Sequence, residues 1–267
     1  MTDWLRALQD CRERRVPAVL VTVTGVRGHA PRDAGAKMVV TEDAVVGSVG
    51  GGNLEELAVR RARDLLVDGA TAPEQLTQAL SDRTPAEHGV QCCGGEVTLL
   101  LESFGVRPAV AVFGMGHVGY EIALLLSRHE LELHLVDSRA EQLGADRLDV
   151  LRTGPADVHV HEVPVLPELV VADLPVGTHV LVLTHDHAED LAVLDALLRS
   201  GVPASIGLIG STAKWARFRG KLADLGHAAE AIDRVRTPIG APGSKAPAAI
   251  ALAAVTELLE LARTRVG

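Results

Sequence analysis

Residues 108–267 predict an α/β fold, a Rossmann-like parallel sheet with helices on both faces, and residues 1–104 predict a smaller α+β domain ahead of it. Beyond Pro108, strand-like and helix-like runs alternate, the pattern of a parallel sheet covered by helices. Within that pattern, Gly114-Met115-Gly116-His117-Val118-Gly119 stands between the apolar run 110–113 and a second apolar run that starts at Tyr120. Strand, glycine turn and helix in this order are the context in which a dinucleotide fingerprint has physical meaning. Because the turn begins only at Gly114 of 267 residues, a whole domain has room to precede it.

Trp4, Leu5, Leu8 and Cys11 share one helical face, and the β-branched run 19–24 follows as a strand. Segments 36–41 and 44–49 straddle Glu42-Asp43 and read as a hairpin. Asn53 is placed to cap a helix over 54–67, which Gly69 closes. A second helix is expected over 73–80 with Pro73 at its start, and 97–101 reads as a buried strand. Segment 103–108, holding Gly105 and Pro108, is the best boundary.

In the second half, 109–113, 132–137, 180–184 and 205–209 read as strands, with helices over 117–129, 188–199 and 212–225. Between residues 144 and 177 only 158–163 reads as a strand, because prolines at 155, 164, 167 and 175 interrupt the rest. The last helix, 247–263, is apolar on most sides in its first half and is expected to pack between the domains.

A formal net charge of −9 and 2% aromatic residues argue against nucleic-acid binding, which draws on Lys and Arg for phosphates and on rings for stacking. Three cysteines, Cys11, Cys92 and Cys93, are too few for a disulfide framework, so a reducing cytoplasm is expected. No apolar run reaches membrane-spanning length, and the N-terminal residues lack a signal-like apolar stretch. A homodimer is the expected assembly, the commonest symmetric one.

Five segments carry candidate chemistry. In the 114–119 turn, Gly114 turns the chain, Gly116 lets backbone approach a phosphate, and Gly119 lets the helix pack closely; the helix N-terminus at His117 faces the anion. Asp137, at the end of the next strand, stands at the spacing of a carboxylate that accepts from a ribose hydroxyl, which favours NAD over NADP. Gly50-Gly51-Gly52 separates a strand from a helix, with Glu55 in the first helical turn; such a turn offers N–H groups to an anion or is simply a flexible connection. Gln91-Cys92-Cys93-Gly94-Gly95 sets two thiols beside glycines, open to soft-metal ligation or sulfur transfer, against the alternative of small buried apolar residues. Thr184-His185-Asp186-His187 and Gly210-Ser211 follow strands, where side chains line the binding crevice or else cap the next helix. A His185–His187 metal pair is the weaker reading of the former. These turns are expected to frame one cleft between the domains.

Taken in order, the segments resemble the XdhC/CoxI family, accessory proteins that mature xanthine dehydrogenase and related molybdenum hydroxylases. The resemblance rests on Gly28-His29-Ala30-Pro31-Arg32, Gly35-Ala36-Lys37-Met38, the triple-glycine turn running to Glu55, Gln91-Cys92-Cys93-Gly94-Gly95, Phe113 with the 114–119 turn, Asp137-Ser138-Arg139, Thr184-His185-Asp186, Gly207-Leu208-Ile209-Gly210-Ser211 and Pro238-Ile239-Gly240. It departs at His29, where the family usually has Ser, and at Glu87-His88-Gly89.

What the resemblance implies is a chaperone that binds molybdenum cofactor as cargo, supports its sulfuration by a cysteine desulfurase, and delivers it to apo xanthine dehydrogenase. On that reading the motif residues, Arg139 included, contact the cofactor, and Cys92 or Cys93 contacts molybdenum or carries sulfur. No catalysis is then required of the chain. The competing readings are an NAD-dependent oxidoreductase with His185 as acid or base, and a dinucleotide-binding regulatory protein.

Overall fold

The β-branched run near the N-terminus forms the centre of an antiparallel sheet, with Val19, Val21 and Val23 facing one side and Ala18 and Leu20 the other. The computed structural model describes residues 3–80, 95–240 and 245–263, and the chain divides into two units, Met1–Val106 and Arg107–Gly267. In the first unit, β1 (Ala18–Arg27), β2 (Lys37–Val40), β3 (Val45–Gly47), β4 (Glu74–Leu80) and β5 (Gly95–Phe104) are ordered β3-β2-β1-β5-β4. Every paired neighbour is antiparallel. Helix α2 (Gly52–Val67) covers one face with Leu54, Ala58, Ala62 and Leu65, the stripe that a 3.6-residue period places on one side. Burial of Leu54 and of Leu65 contributes about 1.5–3 kcal/mol each. Helix α1 (Asp3–Glu13) packs Trp4, Ala7, Leu8 and Cys11 against Ala18, Leu20 and Val39 on the opposite face.

Segment 74–80 is a strand and not the helix expected. Its helix-favouring Glu, Gln, Leu and Ala are overridden by a seven-residue antiparallel register with β5, from Glu74 opposite Leu101 to Leu80 opposite Gly95. The even-numbered residues of the edge strand are the more buried set, and Leu80 reaches the core.

The second unit is a parallel sheet with helices on both faces. Its strands are β6 (Ala109–Phe113), β7 (Glu132–Asp137), β8 (Asp157–Glu162), β9 (Thr178–Val182), β10 (Pro203–Leu208) and β11 (Val235–Arg236), ordered β11-β10-β9-β6-β7-β8. Counted within this sheet, that is the 3-2-1-4-5-6 order of a dinucleotide-binding fold, with the switch point between β6 and β9. All of β6 and β9 is buried, which explains the apolar runs over 109–113 and 180–183.

On one face lie α3 (His117–Leu126), α8 (Pro247–Arg263) and the short α4 (Ala145–Leu148), packed over Val110, Val112, Leu133 and Leu135. Ala251, Ala254, Val255 and Leu258 of α8, the helix expected between the domains, are buried in this core beside α3. On the other face lie α5 (His187–Ser200), α6 (Thr212–Asp224), α7 (Ala229–Ile232) and a 3-10 turn at Pro167–Asp173. Segment 144–177 is held by two 3-10 turns, Leu151–Thr153 and Pro167–Asp173, with α4 and β8, elements too short to show a period. Among the described residues no helix is long and apolar enough to cross a membrane.

Candidate functional site

Two strand ends meet at the switch point, and glycine is what lets them. The Gly114 N–H donates to Val136 O at 2.8 Å, and the Leu183 N–H donates to Phe113 O at 2.9 Å. A Cβ on Gly114, whose φ is +108°, would lie 2.3 Å from the Leu183 carbonyl oxygen; one on Gly119 would lie 1.8 Å from the Gly114 oxygen. Gly116 differs: a Cβ there would have only the Arg139 guanidinium, 4.0 Å away, near it. The three glycines thus divide the tasks of tight turn, open phosphate approach and close helix packing. Gly116 is also the N-cap of α3, and no side chain caps that helix, so its N-terminal N–H groups face outward as an anion site requires.

The Asp137 carboxylate, expected to take a ribose hydroxyl, is engaged inside the protein. The Met115 N–H donates to Oδ2 at 2.6 Å, the Arg139 N–H and Nε donate to Oδ1 at 2.9 Å, and Arg139 Nη2 donates to Oδ2 at 2.9 Å. Four donors fill the roughly four lone-pair positions of a carboxylate. With its side chain 2% exposed, Asp137 has no face left for a ligand; Arg139, at 28%, does. Burial alone would push the Asp137 carboxyl up, but the Arg139 side-chain bonds and the two backbone N–H groups outweigh it and hold it below the ordinary aspartate value. The carboxylate thus serves the glycine turn and Arg139, in place of the ribose contact that its spacing suggests.

An open pocket of about 370 Å³ lies over this turn, bordered by Gly116, His117, Gly119, Arg139, Thr184 and His185, with Ile209 and Pro247 on its far side. Beneath it, Asp190 is fully buried and accepts from the Thr184 N–H at 2.8 Å, from Thr184 Oγ1 at 2.9 Å and from Lys214 Nζ. This network fixes the turn after β9. Asp186 and Ser211, read as ligand contacts, are helix caps: Asp186 accepts from the Ala188 N–H, and Ser211 accepts from the Lys214 N–H. Gly210 gives Lys214 room to reach Asp190, since a Cβ there would lie 2.8 Å from Lys214 Cδ. His185 leans 3.6 Å from Glu189 while His187 turns edge-on to Phe218, and among the described residues the pair joins no convergent set of three metal-ligating side chains.

Arg147 was not foreseen. It donates to the Met115 carbonyl at 3.2 Å and stacks over Tyr120, bracing the glycine turn from the segment that sequence patterns left obscure. Pro247, the first residue of α8, was missed as a pocket wall.

In the first unit, the triple-glycine turn holds an anion of its own. Glu55 Oε2 accepts from Ser48 Oγ at 2.6 Å, from the Gly51 N–H at 3.1 Å and from the Val49 N–H at 3.3 Å, while Ser48 Oγ accepts from the Gly50 N–H. Gly51, with φ 71°, and not Asn53, is the N-cap of α2. A carboxylate reaching back to the helix start outcompetes the shorter Asn side chain. Gly52 also sits at positive φ, and a Cβ there would meet nothing within 4 Å. Gln91, Cys92 and Cys93 lie outside the described residues.

Fold and site together define a Rossmann-type unit, with an arginine beside an uncapped glycine turn, joined in the chain to an antiparallel-sheet domain. A family model described as the XdhC Rossmann domain matches residues 110–258, and one described as the XdhC and CoxI family matches residues 11–77. The chain belongs to the XdhC/CoxI family. Two relatives come from Escherichia coli (strain K12). The uncharacterized protein YqeB is 25% identical over 261 residues, covering 93% of this chain but 44% of its own length, so the chain spans less than half of that relative. The molybdenum cofactor insertion chaperone PaoD is 26% identical over 279 residues, covering 90% of this chain and 82% of its own length. A solved structure described as a xanthine dehydrogenase from Bacillus halodurans is 19% identical, with a TM-score of 0.47 over 99% of this chain and 97% of that one.

Proposed function

We propose that this chain is a molybdenum-cofactor chaperone: it binds the cofactor as cargo, holds it during sulfuration by a cysteine desulfurase, and inserts it into apo xanthine dehydrogenase or a related hydroxylase. The observation that carries the reading is the match to PaoD, named an insertion chaperone, along nine-tenths of the chain. The pocket chemistry supports it. Molybdopterin carries a phosphate, which the α3 N-terminus and Arg139 suit, and a soft dithiolene-bound metal, which a cysteine thiolate suits. In this reading Gln91, Cys92 and Cys93 contact the molybdenum end or carry its sulfur, and the chain acts as a carrier, not a catalyst, working as a cytoplasmic homodimer. Engagement of Asp137 by Arg139 takes away the ribose acceptor that an NAD-dependent oxidoreductase would use.

Reconstitution tests the proposal. Chain loaded anaerobically with molybdenum cofactor is mixed with apo xanthine dehydrogenase, with and without a cysteine desulfurase, and hydroxylase activity is followed. Activation above that from free cofactor, diminished by replacing Cys92 and Cys93 with Ser, is expected. Activation no better than from free cofactor contradicts it.

A further inference from the structure

A second cluster of ligand-type side chains lies on the outer strand pair of the parallel sheet, away from the glycine turn's chemistry. The β7–β8 register sets Glu132 beside Asp157, His134 beside His159 and Val136 beside His161. In a parallel pair, residues in register point to the same face, so one face of two strands carries two carboxylates and three imidazoles. The His134 and His159 rings stack at 4.7 Å, and His134 Nδ1 lies 3.1 Å from His161 Nε2. Glu132, His134 and His159 each offer a ligand atom, and these atoms lie within 4.8 Å of one another.

We propose that Glu132, His134 and His159 bind a zinc-type divalent cation, tying edge strand β8 to β7. Zn–N and Zn–O bonds of about 2.0–2.2 Å put tetrahedral ligand atoms roughly 3.3–3.6 Å apart, so modest side-chain rotation closes the set. Two imidazoles and one carboxylate suit zinc, whose remaining position water fills. The burial gradient suits entry from solvent: His134 is buried, Glu132 partly so, and His159 has a side chain 44% exposed. Polar side chains stand near both histidines. Asp157 Oδ1 lies 3.8 Å from His159 Nε2, and His161 stands against His134.

The test uses the full chain with Cys92 and Cys93 replaced by Ser, which removes the adjacent pair of thiols that would compete for zinc, treated with chelator and titrated with zinc sulfate by calorimetry. One equivalent binding with a dissociation constant below about 10 μM is expected. His159→Ala, at an exposed position that leaves the core intact, should weaken it by roughly tenfold to a hundredfold or more, and Glu132→Gln similarly. His129→Ala, at an exposed histidine outside β7 and β8, should leave it unchanged. Absence of binding, or binding untouched by His159→Ala and Glu132→Gln, overturns the site.

Discussion

The Arg139 guanidinium is held in a two-pronged fork by Asp137, Nε on Oδ1 and Nη2 on Oδ2, both at 2.9 Å. The same carboxylate takes the Met115 N–H from the middle of the glycine turn. One buried acid therefore fixes both the turn and the cation above it. A bidentate pair also sets the plane of the guanidinium, which a lysine in its place could not do.

Arg139→Ala should weaken molybdopterin binding by about 1.5–3 kcal/mol, roughly ten- to hundredfold, the range for a hydrogen bond to a charged group. Arg139→Lys should recover only part of this. Anaerobic fluorescence titration of each variant measures it, and unfolding midpoints show whether the change stays local.

NAD preference, which the spacing of Asp137 favoured, should be absent. An acid saturated by its own arginine cannot accept from a ribose hydroxyl, whereas a nearby arginine accommodates a 2′-phosphate. Calorimetry with both dinucleotides should therefore find NAD bound no more tightly than NADP.

Gly119→Ala and Gly116→Ala should separate stability from binding. The first places a Cβ 1.8 Å from the Gly114 oxygen and should cost at least about 3 kcal/mol in urea unfolding. The second meets only the edge of Arg139 and should cost under about 1 kcal/mol while narrowing the phosphate approach, so its effect should appear in ligand titration instead.

Acid should loosen the turn through Asp137. Its carboxyl is lower in the folded chain than in the unfolded one, so its contribution is complete above the ordinary aspartate value of about 3.9 and is lost as pH falls through the lower folded value. Asp137→Asn should therefore lower stability at neutral pH and flatten the part of the acid unfolding curve below about pH 4. Urea midpoints across that range measure both effects.

The parallel sheet and the glycine turn were legible because both write a period or a spacing into the chain: apolar β6 and the apolar end of β9, and Gly114, Gly116 and Gly119 between strand and helix. Segment 74–80 was not, since its residues favour a helix and only pairing with β5, distant in sequence, makes it a strand. Carboxylate roles were the least legible. Asp137 and Glu55 stand where a ligand-binding acid or a favourable helix-start charge would stand, and nothing in residue type tells that each is consumed by its own backbone and neighbours. Arg147 escaped because its segment has no periodicity, and it reaches the Met115 carbonyl across 32 positions.

Cargo binding is the central claim, and the composition of the isolated protein measures it most directly. Chain purified anaerobically from cells that make molybdenum cofactor should carry molybdenum and pterin in equal amounts, and Arg139→Ala should lower both together. Protein that carries neither, from cells whose cofactor supply is intact, would contradict the account.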